Sequence, residues 1–162
     1  YTRKISPKDY TMNTLNTILQ NARQRAQENN LPYAGALTPQ EAFQVLELNP
    51  KAKLIDVRSH AELDLVGKIP QAAHVEWSFY PGWQPNPEFI NQLKNQTDTT
   101  APMMFICRTG SRSHNAAILA TQSGYDECYN VIEGFEGATD TASKQRGKIN
   151  GWKAAGLPWT NG

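Results

Sequence analysis

The chain has 162 residues, enough for one domain that buries its own core without metals or cross-links. Sixteen Lys and Arg stand against fifteen Asp and Glu, so the +1 charge leaves no overall footprint for nucleic acid or an anionic membrane, though a local basic patch stays open. Two cysteines, Cys107 and Cys128, are too few for a disulfide scaffold or a cysteine zinc site, and no apolar run nears the roughly 18 residues of a membrane span. The chain begins at Tyr1 and shows no apolar signal core. The compartment therefore stays open, with the cytoplasm as expectation, or the periplasm if Tyr1 follows a cleaved signal peptide.

In chain order, Ser6 to Asn29 reads as a helix, with Ser6 as cap and Pro7 at the first helical position. Met12, Leu15, Ile18, Leu19, Ala22 and Ala26 recur at three- and four-residue spacing. They make one apolar face, expected to pack on the main domain. From about Gly35 helix and strand alternate. Thr38 and Glu41 form a capping box before a helix whose buried face is Ala42, Val45 and Leu46. Lys53 to Val57 is a short buried strand, and Ser59 with Glu62 forms a second capping box. Ala73 to Trp77 is strand-like, and Asn86-Pro87 starts a helix that runs to about Lys94. Pro102 to Ile106 is an apolar run of strand length. Ser113 to Ser123 is an alanine-rich helix closed by Gly124, and Cys128 to Ile132 is a further strand. Short apolar strands alternating with helices predict an α/β fold, an open parallel sheet flanked by helices on both faces, with an extra N-terminal helix. Ligands of such sheets bind beyond the carboxyl ends of the strands.

At one such end stands Cys107-Arg108-Thr109-Gly110-Ser111-Arg112-Ser113, followed by helix. A cysteine on a tight strand-to-helix turn meets inward loop amides and the positive end of a helix dipole. Gly110 lets the backbone turn sharply. Two guanidinium groups and three hydroxyls lie in the same segment. All of these favour thiolate over thiol and would bind the anionic part of a substrate. A lone cysteine at a strand end is ordinarily packing, but a core turn gains nothing from two arginines. A reactive, anion-binding Cys107 is the expectation.

This segment resembles the active-site loop of the rhodanese family of sulfurtransferases. Leu54-Ile55-Asp56-Val57-Arg58, Glu62, Gly67 to Ala72, Gly124-Tyr125, Asn130-Val131, Glu133-Gly134-Phe135 and Gly151 to Pro158 agree with it in the family's order. The resemblance spans roughly residues 35–160. It implies a rhodanese-like domain at 35–162 with an N-terminal helical extension at 1–34. It also implies that Cys107 takes sulfane sulfur from thiosulfate or a persulfide donor, carries it as a persulfide, and passes it to a thiol, cyanide or protein acceptor. Such a two-step transfer predicts ping-pong kinetics. Arg108 and Arg112 would bind the small sulfur anion, and the loop of Thr109, Gly110, Ser111 and Ser113 would hold the transferred sulfur. Asp56 and Arg58 match a second strand end and read as a structural ion pair. No cofactor is implied, and His60, His74 and His114 lack metal-ligand spacing. Related dual-specificity phosphatases place five residues between cysteine and arginine. Here four residues separate Cys107 from Arg112, and no acid follows Cys107, which favours sulfur over phosphoryl transfer. A non-enzymatic binding or sensing module is the competing reading, and the intact Cys107 argues against it.

Lys68 stands where the family often has His. Residues 78–86 and 138–150 are longer than in a minimal domain of the family, and both follow strands. They are expected at the carboxyl edge of the sheet, with Trp83, Phe135 and Arg146 as pocket wall, selecting a donor or acceptor larger than cyanide, such as a protein thiol. Cys128 reads as core packing, with a resolving thiol as the alternative. His114 reads as a solvated helix residue, and Trp77, Trp152 and Trp159 as packing anchors.

Overall fold

The computed structural model describes residues 7–162, with side chains from Thr11 onward. The expected cap Ser6 lies outside the described residues. The chain runs α1 (Pro7–Glu28), β1 (Gly35–Leu37), α2 (Pro39–Leu48), β2 (Lys53–Asp56), α3 (His60–Val66), β3 (Ala73–His74), β4 (Ser78–Phe79), β5 (Gln84–Pro85), α4 (Phe89–Gln96), β6 (Met103–Ile106), α5 (Ser111–Gln122) and β7 (Cys128–Val131). Five strands form one parallel sheet in the order β1-β7-β6-β2-β3, and β4 pairs with β5 in a separate antiparallel ribbon.

The period of two along a strand sorts the core into two layers. Leu54, Met104, Ile106, Tyr129 and Val131 face Ile18, Leu19 and Ala22 of α1 and Ala42 and Val45 of α2. Ile55, Met103, Phe105, Cys107 and Cys128 face Phe89 and Leu93 of α4 and Ala116, Ala117 and Ala120 of α5. The central strands are mostly apolar because both faces are covered. Cys107 continues the alternation of β6, which turns its side chain toward the α4–α5 layer.

Both capping boxes form. Glu41 N donates to Thr38 Oγ1 and Thr38 N to the Glu41 carboxylate; Ser59 and Glu62 repeat the pattern. On α1, Met12 departs from its expected place on the buried face and is 51% exposed. Strand β1 carries no signal of its own, since Gly-Ala-Leu is too short and too small for a β propensity. It forms because its edge pairs with Tyr129–Val131 and its face meets α1. A Cβ at Gly35 would lie 2.8 Å from the Ala22 carbonyl carbon, so only glycine lets the helix come this close. The strand expected over 73–77 shortens to two ladder residues. Val75 and Trp77 still donate to Asp56 O and Val57 O at 3.1 Å each, carrying the chain along the end of β2. Helix α4 begins at Phe89, later than expected. Asn86 makes a turn instead, donating to Glu76 O and accepting from Glu88 N. Helix α5 begins earlier, at Ser111, because Gly110 at φ 108° closes the turn immediately before it.

Candidate active site

Cys107 follows β6, and its side chain is 0% exposed. Its Sγ accepts from Gly110 N at 3.1 Å and from Ser113 Oγ at 3.3 Å. The Ser113 hydroxyl also lies 2.6 Å from Asn130 Oδ1, and Asn130 Nδ2 donates to Gly110 O at 3.2 Å. One hydroxyl carries one proton, so Ser113 gives it either to the sulfur or to Asn130. Buried Asn130 on β7 thus ties both ends of the loop turn together.

The turn after β7 braces the loop from below. Phe135 N donates to Cys107 O at 2.8 Å and Glu136 N to Arg108 O at 3.0 Å. Gly134, at φ 69°, sits so close that a Cβ there would lie 2.6 Å from the Arg108 carbonyl carbon.

The loop arginines are not bare cations. Arg112 reaches Glu62 through both terminal nitrogens, at 2.7 and 2.8 Å. Arg108 Nε lies 3.1 Å from a Glu136 oxygen. Burial pushes the Glu62 carboxyl up, but Arg112, the Ser59 amide and the Ser59 hydroxyl outweigh it and lower it to about 2. Burial pulls Arg112 down, and Glu62 more than restores it, leaving the guanidinium above its ordinary value. Beside this pair an open cleft of about 290 Å³ is lined by Glu62, Arg108, Arg112, Trp77, Ser78, Trp83 and Pro85. The Arg112 guanidinium carbon lies 5.1 Å from the Trp83 ring centre.

Of the other expected residues, Thr109 and Ser111 are exposed on the loop. Asp56 and Arg58 form a buried ion pair at 2.7 Å, with Arg58 also donating to Gly67 O. Arg58 stacks 4.1 Å over Phe135, which corrects the placing of Phe135 on the pocket wall: it is fully buried. Arg146 is corrected likewise. It donates to Gly137 O at 2.8 Å, because residues 138–150 fold back on the 136–137 turn through Gly147 N to Glu136 O. Only the 78–86 stretch reaches the cleft. His114 is half-buried with Nδ1 2.6 Å from the Tyr33 hydroxyl, and so is not a solvated residue. Trp152 is fully buried and Trp77 stacks edge-on against Phe89, as anchors do. Trp159 is 37% exposed and carries Lys153 over its ring. Burial pushes the Cys128 thiol up to about 11, with Glu127 and Asp126 adding to it, which leaves an inert core cysteine. Among the described residues no cluster of three His, Cys, Asp or Glu could hold a metal.

The roles of two participants escape the sequence reading. Glu62 is legible as a helix cap and as a position of the family resemblance, but not as the partner of Arg112. Asn130 is legible as a strand residue and, with Val131, as part of the family resemblance, but not as a partner of the loop. A polar side chain in the middle of the apolar run Cys128–Val131 is the signal that could have marked it.

The family model described as Rhodanese-like domain matches residues 38–141, a span that carries the Cys107 loop, Glu62, Asn130 and the 134–136 brace. An uncharacterised protein of Rickettsia conorii is 35% identical over 121 residues, 74% of this chain and 91% of that one. A thiosulfate sulfurtransferase, GlpE, of Tolumonas auensis is 31% identical over 98 residues, 60% of this chain and 81% of that one. The crystal structure of Rv0390 from M. tuberculosis matches with a TM-score of 0.74 at 40% identity, covering 80% of this chain and 99% of that one. Sequence span, sheet and loop agree, and the chain belongs to the rhodanese-like domain family, with thiosulfate sulfurtransferases among its more distant relatives.

Proposed function

We propose that this protein is a sulfurtransferase that carries sulfane sulfur on Cys107. The observation that carries the reading is the strand-end sulfur accepting from Gly110 N–H, with the Ser113 hydroxyl at 3.3 Å, in a loop whose Arg108 and Arg112 line an open cleft. The loop leads straight into α5, whose N-terminus has no side-chain cap. The Cys107 thiolate attacks the outer sulfur of the donor from the cleft side. With thiosulfate, the donor S–S bond breaks, sulfite leaves with the bonding electrons, and Cys107 holds a persulfide. The acceptor then attacks the outer persulfide sulfur and returns the Cys107 thiolate. This divides one transfer into two displacements.

Related thiosulfate sulfurtransferases at about 30% identity support the reaction class. The short spacing of the loop supports sulfur over phosphoryl transfer, and so does Arg112, already held by two bonds to Glu62 and not free to clamp a phosphoryl group. The test is intact mass after incubation with a sulfur donor. A gain of about 32 Da, removed by cyanide and lost in Cys107→Ser, is the expected result for a persulfide. No adduct with thiosulfate or any persulfide donor overturns the proposal.

A further inference from the structure

Beside the Cys107 loop, Arg112 is fully paired, Arg108 is paired through Nε, and two tryptophans line the same cleft. We infer that the cleft selects a low-molecular-mass organic hydropersulfide, R–S–SH with an apolar or aromatic R group, over the thiosulfate dianion, and that Trp83 sets this selectivity. The inference rests on the sulfurtransferase reading and narrows its donor.

Three observations carry it. The first is charge. Glu62 takes both terminal nitrogens of Arg112, and Glu136 takes Arg108 Nε. A dianion entering here meets an Arg112 whose two terminal nitrogens are already taken, and an exposed Arg108 partly neutralised by Glu136. Seating it costs more than seating a donor of single or no charge. The second is shape. The cleft holds about 290 Å³, close to the lower bound of sites for small organic ligands and far more than a small inorganic dianion needs. Its lining includes Trp77, Trp83 and Pro85, which offer apolar surface to an R group, with Ser78 as the one hydroxyl beside them.

The third is how Trp83 is held. It sits at φ 53°, a left-handed conformation that a bulky residue adopts only at a cost. The β4–β5 ribbon pairs Phe79 with Gln84 across the turn, and Tyr80 meets the Trp83 ring edge-on at 5.7 Å. The ring is thereby aimed at Arg112 and the cleft. Trp77, on the same wall, is anchored edge-on to Phe89 at 5.0 Å. The wall is preformed, so little ordering cost falls on the ligand.

The chemistry balances without another reagent. The Cys107 thiolate attacks the terminal sulfur of R–S–SH and a new S–S bond forms. The original S–S bond breaks, and its electron pair leaves with R–S⁻, which takes a proton from water. The terminal sulfur keeps its hydrogen, giving Cys107–S–SH, and there is no net oxidation.

The test compares single-turnover sulfuration of the full chain by benzyl hydropersulfide, methyl hydropersulfide and thiosulfate, read as mass on Cys107. The wild type should prefer benzyl over methyl. In Trp83→Ala the benzyl-to-methyl ratio should fall about tenfold, the loss of an aromatic contact, and Trp83→Phe should restore most of it. In Glu62→Gln the selectivity should shift several-fold toward thiosulfate, because Arg112 then faces the cleft without a counter-charge. A benzyl-to-methyl ratio unchanged in Trp83→Ala, or a wild type that uses thiosulfate more efficiently than benzyl hydropersulfide, overturns the inference while the sulfurtransferase reading stands. Sulfuration by none of the three overturns that reading and this inference together.

Discussion

Glu62 is where a single residue serves fold and site at once. Its carboxylate caps α3 through Ser59 and holds Arg112 of the loop. Its folded-state value, lowered from near 4.5 to about 2, fixes the sign of a pH effect. A carboxyl depressed in the folded state adds stability that is fully present above its unfolded value and is lost as pH falls toward the folded one. The thermal midpoint should therefore fall between about pH 4.5 and pH 2, by the equivalent of a few kcal/mol for a half-buried group. Glu62→Gln should flatten that part of the midpoint-against-pH curve. A curve of unchanged shape would show that other carboxylates govern it. Asn130 gives a second test. Asn130→Ala removes two bonds of the loop, to Gly110 O and to the Ser113 hydroxyl, which keep His114 N and Cys107 Sγ as partners, at a cost of about 1–2 kcal/mol. It should also change the rate of Cys107 alkylation by iodoacetamide, which tracks the loop directly. An unaltered rate would make Asn130 a packing residue only. Cys107 was legible in the sequence because a strand end, a glycine turn and a helix start are local events. Glu62 and Asn130 stood in the sequence only as matches to a family, and their bonds to the loop were not legible, because each comes from another strand or helix and only the fold brings it there.

At the scale of elements, the loop is a sandwich: α5 behind it, the 133–137 turn beneath it. The two glycines Gly124 and Gly134 separate what a turn needs from what a contact needs. Both have positive φ, but a Cβ at Gly124 meets nothing within 4 Å, whereas one at Gly134 meets Arg108 and Cys107 backbone at 2.6–2.7 Å. Gly124→Ala should cost about 1 kcal/mol of backbone strain and leave alkylation of Cys107 alone. Gly134→Ala should cost more, about 2–4 kcal/mol, and shift the alkylation rate, since backbone cannot move aside as a side chain can. Equal losses of midpoint in the two variants would refute the brace. Capping boxes and apolar runs made most elements legible, because both are written in consecutive residues. Strand β1 was hidden because its pairing with β7 and its fit to Ala22 are tertiary. The reach of the 78–86 ribbon to the cleft, and the failure of 138–150 to reach it, were settled by contacts of the same long-range kind.

Across the whole molecule, several of the nearly balanced charges are paired at close range. Arg25 meets Glu41, Arg58 meets Asp56, Arg108 meets Glu136 and Arg112 meets Glu62. Two of these pairs neutralise the loop that the sequence suggested was a positive patch. The Arg25 pair has a different use. It joins α1 to the capping box of α2, and Arg25 also donates to Ala36 O of β1. Helix α1 lies outside the matched span of residues 38–141, yet its Ile18, Leu19 and Ala22 share one buried cluster with β6 and β7. The helix should therefore be a structural part of the sheet's cover and distant from the chemistry. Leu19→Ala tests both halves of that statement. It removes a side chain that is 8% exposed and should cost about 2–3 kcal/mol, lowering the thermal midpoint by about 5–10 °C in a chain of this size. Alkylation of Cys107 at a temperature well below the midpoint should keep its wild-type rate, because α1 covers the face of the sheet opposite the one Cys107 faces. A midpoint within a degree of wild type would mean that α1 is only loosely docked. A changed alkylation rate in the folded protein would mean that the two layers are coupled through β6.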